Sequence, residues 1–185
     1  MFSKKYTFPS IVLFILCALL LIPISCGGVS DHQIGPEMNP LSFLVGPAKG
    51  YRVIRDRNLN IKAVADVNRN CTALSELEGE CEDTVIFFGS QETAREVLKY
   101  SIFYDENLKL HLKIKTGAGF LEGFTYGSGI YLAGKLPIPL KKDKLLTVET
   151  RWDRISIAED NMSMQRDTYY FFGIYSGTVE TIWQK

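Results

Sequence analysis

Leu98-Lys99-Tyr100-Ser101-Ile102-Phe103-Tyr104-Asp105-Glu106-Asn107-Leu108-Lys109-Leu110-His111-Leu112-Lys113-Ile114 is the stretch that decides the fold. Leu98, Tyr100, Ile102 and Tyr104 recur at every second position, and so do Leu108, Leu110, Leu112 and Ile114. A period of two places each set on one face of an extended strand. Asp105-Glu106-Asn107 lies between them and has the chemistry of a tight turn, so the stretch reads as an antiparallel hairpin.

The same period extends in both directions. Leu59, Ile61, Ala63, Ala65 and Val67 alternate with Asn60, Lys62 and Asp66. A strand from Tyr51 to Arg55 precedes them across the turn Asp56-Arg57-Asn58. Thr84 to Phe88 forms another strand, and Phe120 to Leu132 holds one or two. Leu146, Val148, Thr150 and Trp152 share one parity whereas Ile155 and Ile157 take the other, which predicts a bulge near Asp153 or Arg154. Thr168 to Tyr175 and Thr178 to Gln184 form a last hairpin, with its turn expected at Ser176-Gly177. Ser90 to Val97 is ambiguous, because Ser90 suits the cap of a short helix.

About nine or ten sequential strands with short loops predict an all-β domain: an antiparallel up-and-down barrel, with a β-sandwich as the alternative. The glycines at 117, 119, 123, 127, 129 and 134 fit bends and corners of such a barrel. They do not match a phosphate-binding loop, since no Gly-Lys-Ser/Thr ending follows. Cys71 and Cys81 are expected to pair in an exported domain, closing a loop worth about 3 kcal/mol. The acidic span Thr72 to Glu80 is read as carrying one helical turn. Two cysteines without a second Cys or His cluster do not make a zinc site. The sequons at Asn70-Cys71-Thr72 and Asn161-Met162-Ser163 are read as chance matches.

Ahead of this domain, Lys4 and Lys5 open a leader whose apolar run, Ile11 to Ile22, stops at Pro23. Ser25 then sets a small side chain before Cys26. The pattern resembles a bacterial lipoprotein signal peptide, and its departure at Pro23, where a leucine is usual, is similar to the relaxed lipoboxes of spirochaetes. The resemblance implies a lipid on Cys26, an outer-membrane address in the cell envelope, and a boundary between the leader at residues 1–25 and a tether at 26–40. The run is short for a membrane span, which needs about 20 residues. Cys17 follows the bulky Leu16 and makes a poor lipid acceptor. The tether is rich in Gly, Ser, Asp, Asn and Pro, and its His32 is read as a spacer residue. Residues 41–185 then form a single β domain.

Removing the leader takes two lysines and no acid, so 21 cations against 21 anions become 19 against 21. A near-neutral chain excludes the strongly basic stripe of a nucleic-acid binder. Leu41-Ser42-Phe43-Leu44-Val45-Gly46 is similar to the start of lipocalin-like and nitrobindin-like barrels, although Pro47-Ala48-Lys49 stands where those have a tryptophan. A haem-binding relative would need an inward histidine, and His111 alternates with the apolar face, beside Lys109, Lys113 and Lys115.

The chain has no nucleophile elbow, paired metal histidines or Cys-x-x-Cys, so binding is expected and catalysis is not; no cofactor is expected either. The first candidate is a surface-displayed module for host proteins or acidic polysaccharides. It would use the stripe Lys109, Lys113 and Lys115 and the cluster Lys135, Lys141, Lys142 and Lys144 around Leu136 to Leu140. Lysines on an exposed strand also serve as ordinary edge protection. The second candidate is a periplasmic carrier that holds an apolar small molecule in the barrel, with Tyr100, Tyr104 and Trp152 lining the cavity.

Overall fold

Alternation of apolar and polar side chains along nearly every segment requires a sheet with one dry face, and a closed barrel satisfies that requirement without leaving an edge. The computed structural model describes residue 40 and residues 44–138, 141–155 and 162–185, without the side chains of 138 and 141–143. Ten strands run in order: β1 (Gly46–Asp56), β2 (Ile61–Ala73), β3 (Glu78–Phe87), β4 (Thr93–Tyr104), β5 (Leu110–Thr116), β6 (Phe120–Tyr126), β7 (Gly129–Ile138), β8 (Lys141–Arg154), β9 (Ser163–Phe171) and β10 (Ile174–Gln184). Each pairs antiparallel with its sequence neighbours, and β1 pairs with β10 to close the barrel. The fold is thus the up-and-down barrel and not the sandwich. The residues read from sequence as leader and tether, Cys26 among them, lie outside the described residues except for residue 40.

The hairpin that opened the sequence reading forms, but its turn runs from Asp105 to Lys109. Leu108, expected on the apolar face, is 81% exposed in it, so Tyr104 faces Leu110, Ile102 faces Leu112 and Tyr100 faces Ile114. Tyr100, Ile102, Leu112 and Ile114 are buried, whereas Tyr104, at the barrel's end, is 59% exposed. Asp105 organises the turn, its carboxylate accepting hydrogen bonds from the Asn107 and Lys109 amides. The Lys109 amide, helped by His111, holds the Asp105 carboxyl below the ordinary carboxylate range. Leu59 and Ile61 are exposed at the opposite end, so β2 turns inward only from Ala65.

Four local expectations need correction. Between Cys71 and Cys81 there is no helical turn but a hairpin in which Ser75 Oγ accepts from the Leu77 and Glu78 amides. Ser90 caps no helix; its hydroxyl accepts from the Glu92 amide in a turn, and β4 begins at Thr93. The parity change after Trp152 marks the end of β8 rather than a bulge. Asp153 and Arg154 keep register with Met164 and Ser163, and Ile155 is exposed beyond them, while Ile157 lies outside the described residues. The last turn is Phe172-Gly173, both in the left-handed region, and Ser176 is instead the extra residue of a bulge between Tyr175 and Gly177. Gly177 has a φ of 154°, and a Cβ there would run into the Arg55 carbonyl oxygen.

Gly119, Gly123 and Gly134 stand against carbonyl oxygens of neighbouring strands, as barrel corners require, whereas Gly117 faces open space. The core runs through Leu44, Val67, Val85, Leu112, Ile130, Leu132, Val148 and Trp183. Cys71 and Cys81 face each other directly across β2 and β3 and form a disulfide. Replacing both with serine is expected to lower unfolding free energy by about 3 kcal/mol, read as a lower urea midpoint, with a slope equal to or steeper than the parent's because the unfolded chain is freed to expand.

Candidate functional site

The inward face of the barrel is not uniformly apolar. Its alternation carries charged side chains into the interior: Arg52 on β1, Arg69 on β2, Asp83 on β3, Glu96 on β4 and Asp167 on β9. Arg69 and Asp83 stand opposite each other in the β2–β3 register. Both are buried, and they join through two parallel hydrogen bonds of 2.7 Å, Nε to Oδ1 and Nη2 to Oδ2. The Arg69 guanidinium lies 4.1 Å from the Trp183 ring centre and 5.6 Å from that of Trp152. Charge pairing, two-point geometry and a π face together compensate the desolvation of this cation.

A hydrogen-bonded network borders the pair. Trp183 Nε1 donates to Gln165 Oε1 at 3.1 Å, and the Gln165 amide donates to both Asp167 oxygens at 3.1 and 3.2 Å. Thr150 Oγ1 donates to Asp167 Oδ1 at 2.7 Å, and Trp152 Nε1 donates to Ser163 Oγ at 2.9 Å. Burial pushes the Asp167 carboxyl up, against the opposing effect of these hydrogen bonds and of Arg52 and Arg69. Burial likewise raises the neighbouring Tyr169 hydroxyl well above its ordinary range.

Above this floor is a cavity of about 360 Å³. Leu98, Ile114, Leu121, Leu132 and Leu136, on the consecutive strands β4 to β7, make an apolar wall. Arg52, Asp167 and Tyr169, with Glu96 at its border, make a polar one that also includes Val179 beside Asp167. Exposed Gly117 and Ala118, in the β5–β6 turn, border it and mark the end at which it opens. Among the described residues Arg52 differs from Arg69 in having only long contacts, to Thr181 at 3.4 Å, Glu96 at 3.6 Å and Asp83 at 3.9 Å. Its donors are held near the cavity with no closer partner among those residues, an arrangement that suits an incoming acceptor oxygen.

The residues expected from sequence divide accordingly. Trp152 lines the cavity. Tyr100 instead fills the core against Gly79, and Tyr104 points to solvent at the far end, so neither forms a cavity wall. His111 is outside, as alternation implies, stacked on Phe103 at 5.2 Å and 3.1 Å from Asp105. Lys113 pairs with Glu122 at 2.7 Å, and Lys109 Nζ sits 3.8 Å over the Phe124 ring. Lys115 and Lys135 are exposed and flank Phe120 in one cross-strand row. Lys144 is exposed on β8, while the side chains of Lys141 and Lys142 lie outside the described residues. Among the described residues, no group of three or more His, Cys, Asp or Glu is placed to hold a metal.

Sequence reading missed Arg52, Arg69, Asp83 and Asp167, although the signal was present in each strand's phase. Arg69 continues the inward series Ala65, Val67, and Asp167 shares parity with buried Tyr169. A charged residue in the inward phase marks either a buried pair or a site.

Asp167 gives a pH test whose sign follows from its raised pKa. Ionising it costs more in the folded than in the unfolded chain, so stability present below the ordinary value of 3.8 is lost as pH rises through the higher folded value. Asp167→Asn keeps an acceptor for Thr150 and removes that cost. The Tm of the variant relative to the parent should therefore climb as pH is raised from 4 towards neutrality; a constant difference would contradict the burial argument. No family model, curated protein or solved structure matches the chain, and the cavity is therefore interpreted from its own chemistry.

Proposed function

We propose that this protein is a lipid-anchored carrier of the cell envelope whose barrel holds a small amphipathic molecule. The observation that carries this reading is the division of the interior into an apolar wall and a polar wall around one cavity. At about 360 Å³ it falls near the lower end of the ~300–1,000 Å³ usual for small-molecule sites. The ligand's apolar body would pack on Leu98, Leu121, Leu132 and Leu136. Its head would offer acceptor oxygens to Arg52 and donors to Asp167 or Glu96. The carrier thus differs from a purely apolar one in needing a polar head, because a bare hydrocarbon would leave Arg52 and Asp167 further desolvated with nothing in return.

Capture of host proteins or acidic polysaccharides through lysines has less support in the geometry, since Lys113 and Lys109 are engaged by Glu122 and Phe124 on the sheet itself. The anchor rests on the leader, Ser25 before Cys26 after an apolar run. Cys26→Ala is expected to abolish palmitate labelling of the protein in cells; full retention of label would refute lipidation at that residue.

The cavity is tested with 8-anilinonaphthalene-1-sulfonate, an amphipathic anion whose emission rises in dry surroundings. Titration should give saturable binding to the parent protein. Leu98→Trp, which fills the cavity from its partly buried wall, should weaken that binding at least about tenfold with the far-ultraviolet circular dichroism unchanged. Equal affinity in the two proteins would place the dye elsewhere and remove the main support for the carrier.

A further inference from the structure

The end of the barrel at which the cavity opens is formed by the β1–β2, β3–β4, β5–β6 and β9–β10 turns together with the adjoining ends of β7 and β8. Three turns that are neighbours around this rim carry large apolar side chains on their outer surface: Leu59 and Ile61, Phe88, and Phe172 with Ile174. Leu59 and Phe172 occupy left-handed backbone positions, with φ of 65° and 49°, where glycine or asparagine is the inexpensive choice. Phe172 is 90% exposed. A phenylalanine that is conformationally costly and stands at a turn tip, its ring edge-on to Phe171 at 4.6 Å, buries little of itself, and apolar groups gathered in this way mark an interaction surface.

Charge decides between the two ends of the barrel. The far end also exposes apolar side chains, Leu74, Leu77, Tyr104 and Leu108, the last likewise left-handed with a φ of 60°, so apolar exposure alone does not choose. Its described turns, however, carry Glu76, Glu106 and an Asp105 that meets His111, against Lys109. On the mouth end, Arg57 and Lys144 are exposed beside the apolar tips, and Asp56 is already paired with Lys62 at 2.9 Å. Glu92 is the remaining carboxylate on the described tips. Just below the rim, exposed Lys115 and Lys135 flank Phe120 on the outer wall. Apolar tips long enough to enter an acyl boundary, next to cations at headgroup height, are what an anionic bilayer requires of a peripheral protein.

We infer that the mouth end of the barrel docks on an anionic phospholipid surface, with Phe172, Leu59 and Phe88 entering the interface and Arg57 and Lys144 meeting headgroups. The contact is distinct from the lipid on Cys26, which would tether the chain without orienting it. It rests on the rim and not on occupancy of the cavity, so it stands or falls separately from the carrier reading. Should both hold, the cavity would open onto the membrane and exchange its ligand with the bilayer without passing it through water.

The test places an environment-sensitive dye on Phe172→Cys or, as a control, on Leu108→Cys of the full-length oxidised protein. The labelled unsubstituted chain supplies the background from its other cysteines. Each protein is mixed with vesicles of phosphatidylcholine, with or without a quarter phosphatidylglycerol. The expected result is a blue shift at 172 and none at 108. Partitioning should be at least about tenfold stronger on the anionic vesicles and should be lost with Arg57→Glu and Lys144→Glu together. A dye at 172 that stays water-exposed on both vesicles, or a shift confined to 108, would overturn the inference. A shift at 172 that needs an added envelope protein and not the vesicles would also overturn it.

Discussion

Pairing of β1 with β10, from Lys49 facing Gln184 to Asp56 facing Gly177, is the constraint on which the rest of the molecule depends. It joins the two ends of the chain that is described, separated by the whole barrel in sequence, and it converts a curled sheet with two open edges into a closed wall. Closure gives every strand an unambiguous inside. Without it, Arg52 on β1 would not reach across to Thr181 on β10 and Glu96 on β4, and Trp183 on β10 would not seat against Gly50. Such non-local pairing carries a larger loop-closure cost than a local hairpin such as β4–β5.

Within that wall the Arg69–Asp83 pair has an ambiguous energetic value. A buried ion pair of good geometry is often worth no more than a well-packed apolar pair of the same volume, whereas removing one partner costs about 3–5 kcal/mol. Its presence is therefore better explained by what it organises than by net stability. Arg69, fixed by Asp83 and the two tryptophan rings, occupies the floor, and Arg52 is left with long contacts beside the cavity. One arginine is thus locked by short bonds, while the other faces the cavity and its apolar wall with only long contacts among the described residues, the contrast from which the carrier proposal is argued.

Strand existence and facing were legible from sequence wherever alternation lay within a paired strand, as from Leu98 to Ile102 and from Leu110 to Ile114, but not at the hairpin's end, where Tyr104 and Leu108 are exposed. They were less legible where local chemistry competed with tertiary pairing. Ser176-Gly177 has turn composition, yet the register with β9 moves the turn to Phe172-Gly173 and uses Gly177 for the close approach to Arg55. Ser90 has cap composition, but β4 needs the following residues for pairing with β3. The cavity was less legible still, because Arg69 meets Asp83 only through hairpin register, and Asp167 meets Thr150 only through the pairing of β8 with β9. Reading parity through a charged residue, instead of ending the strand's apolar series there, recovers the inward position of both.

Cys71 lies two residues beyond Arg69, and Cys81 two residues before Asp83, on the same inward phase. A slip of one residue between β2 and β3 would turn one member of the ion pair to the outside, and the covalent cross-link forbids that slip. The disulfide therefore acts as a register clamp as well as a staple. Its formation ties the geometry of the cavity floor to oxidising conditions, so a chain held reduced would have no covalent guarantee that its two buried charges meet.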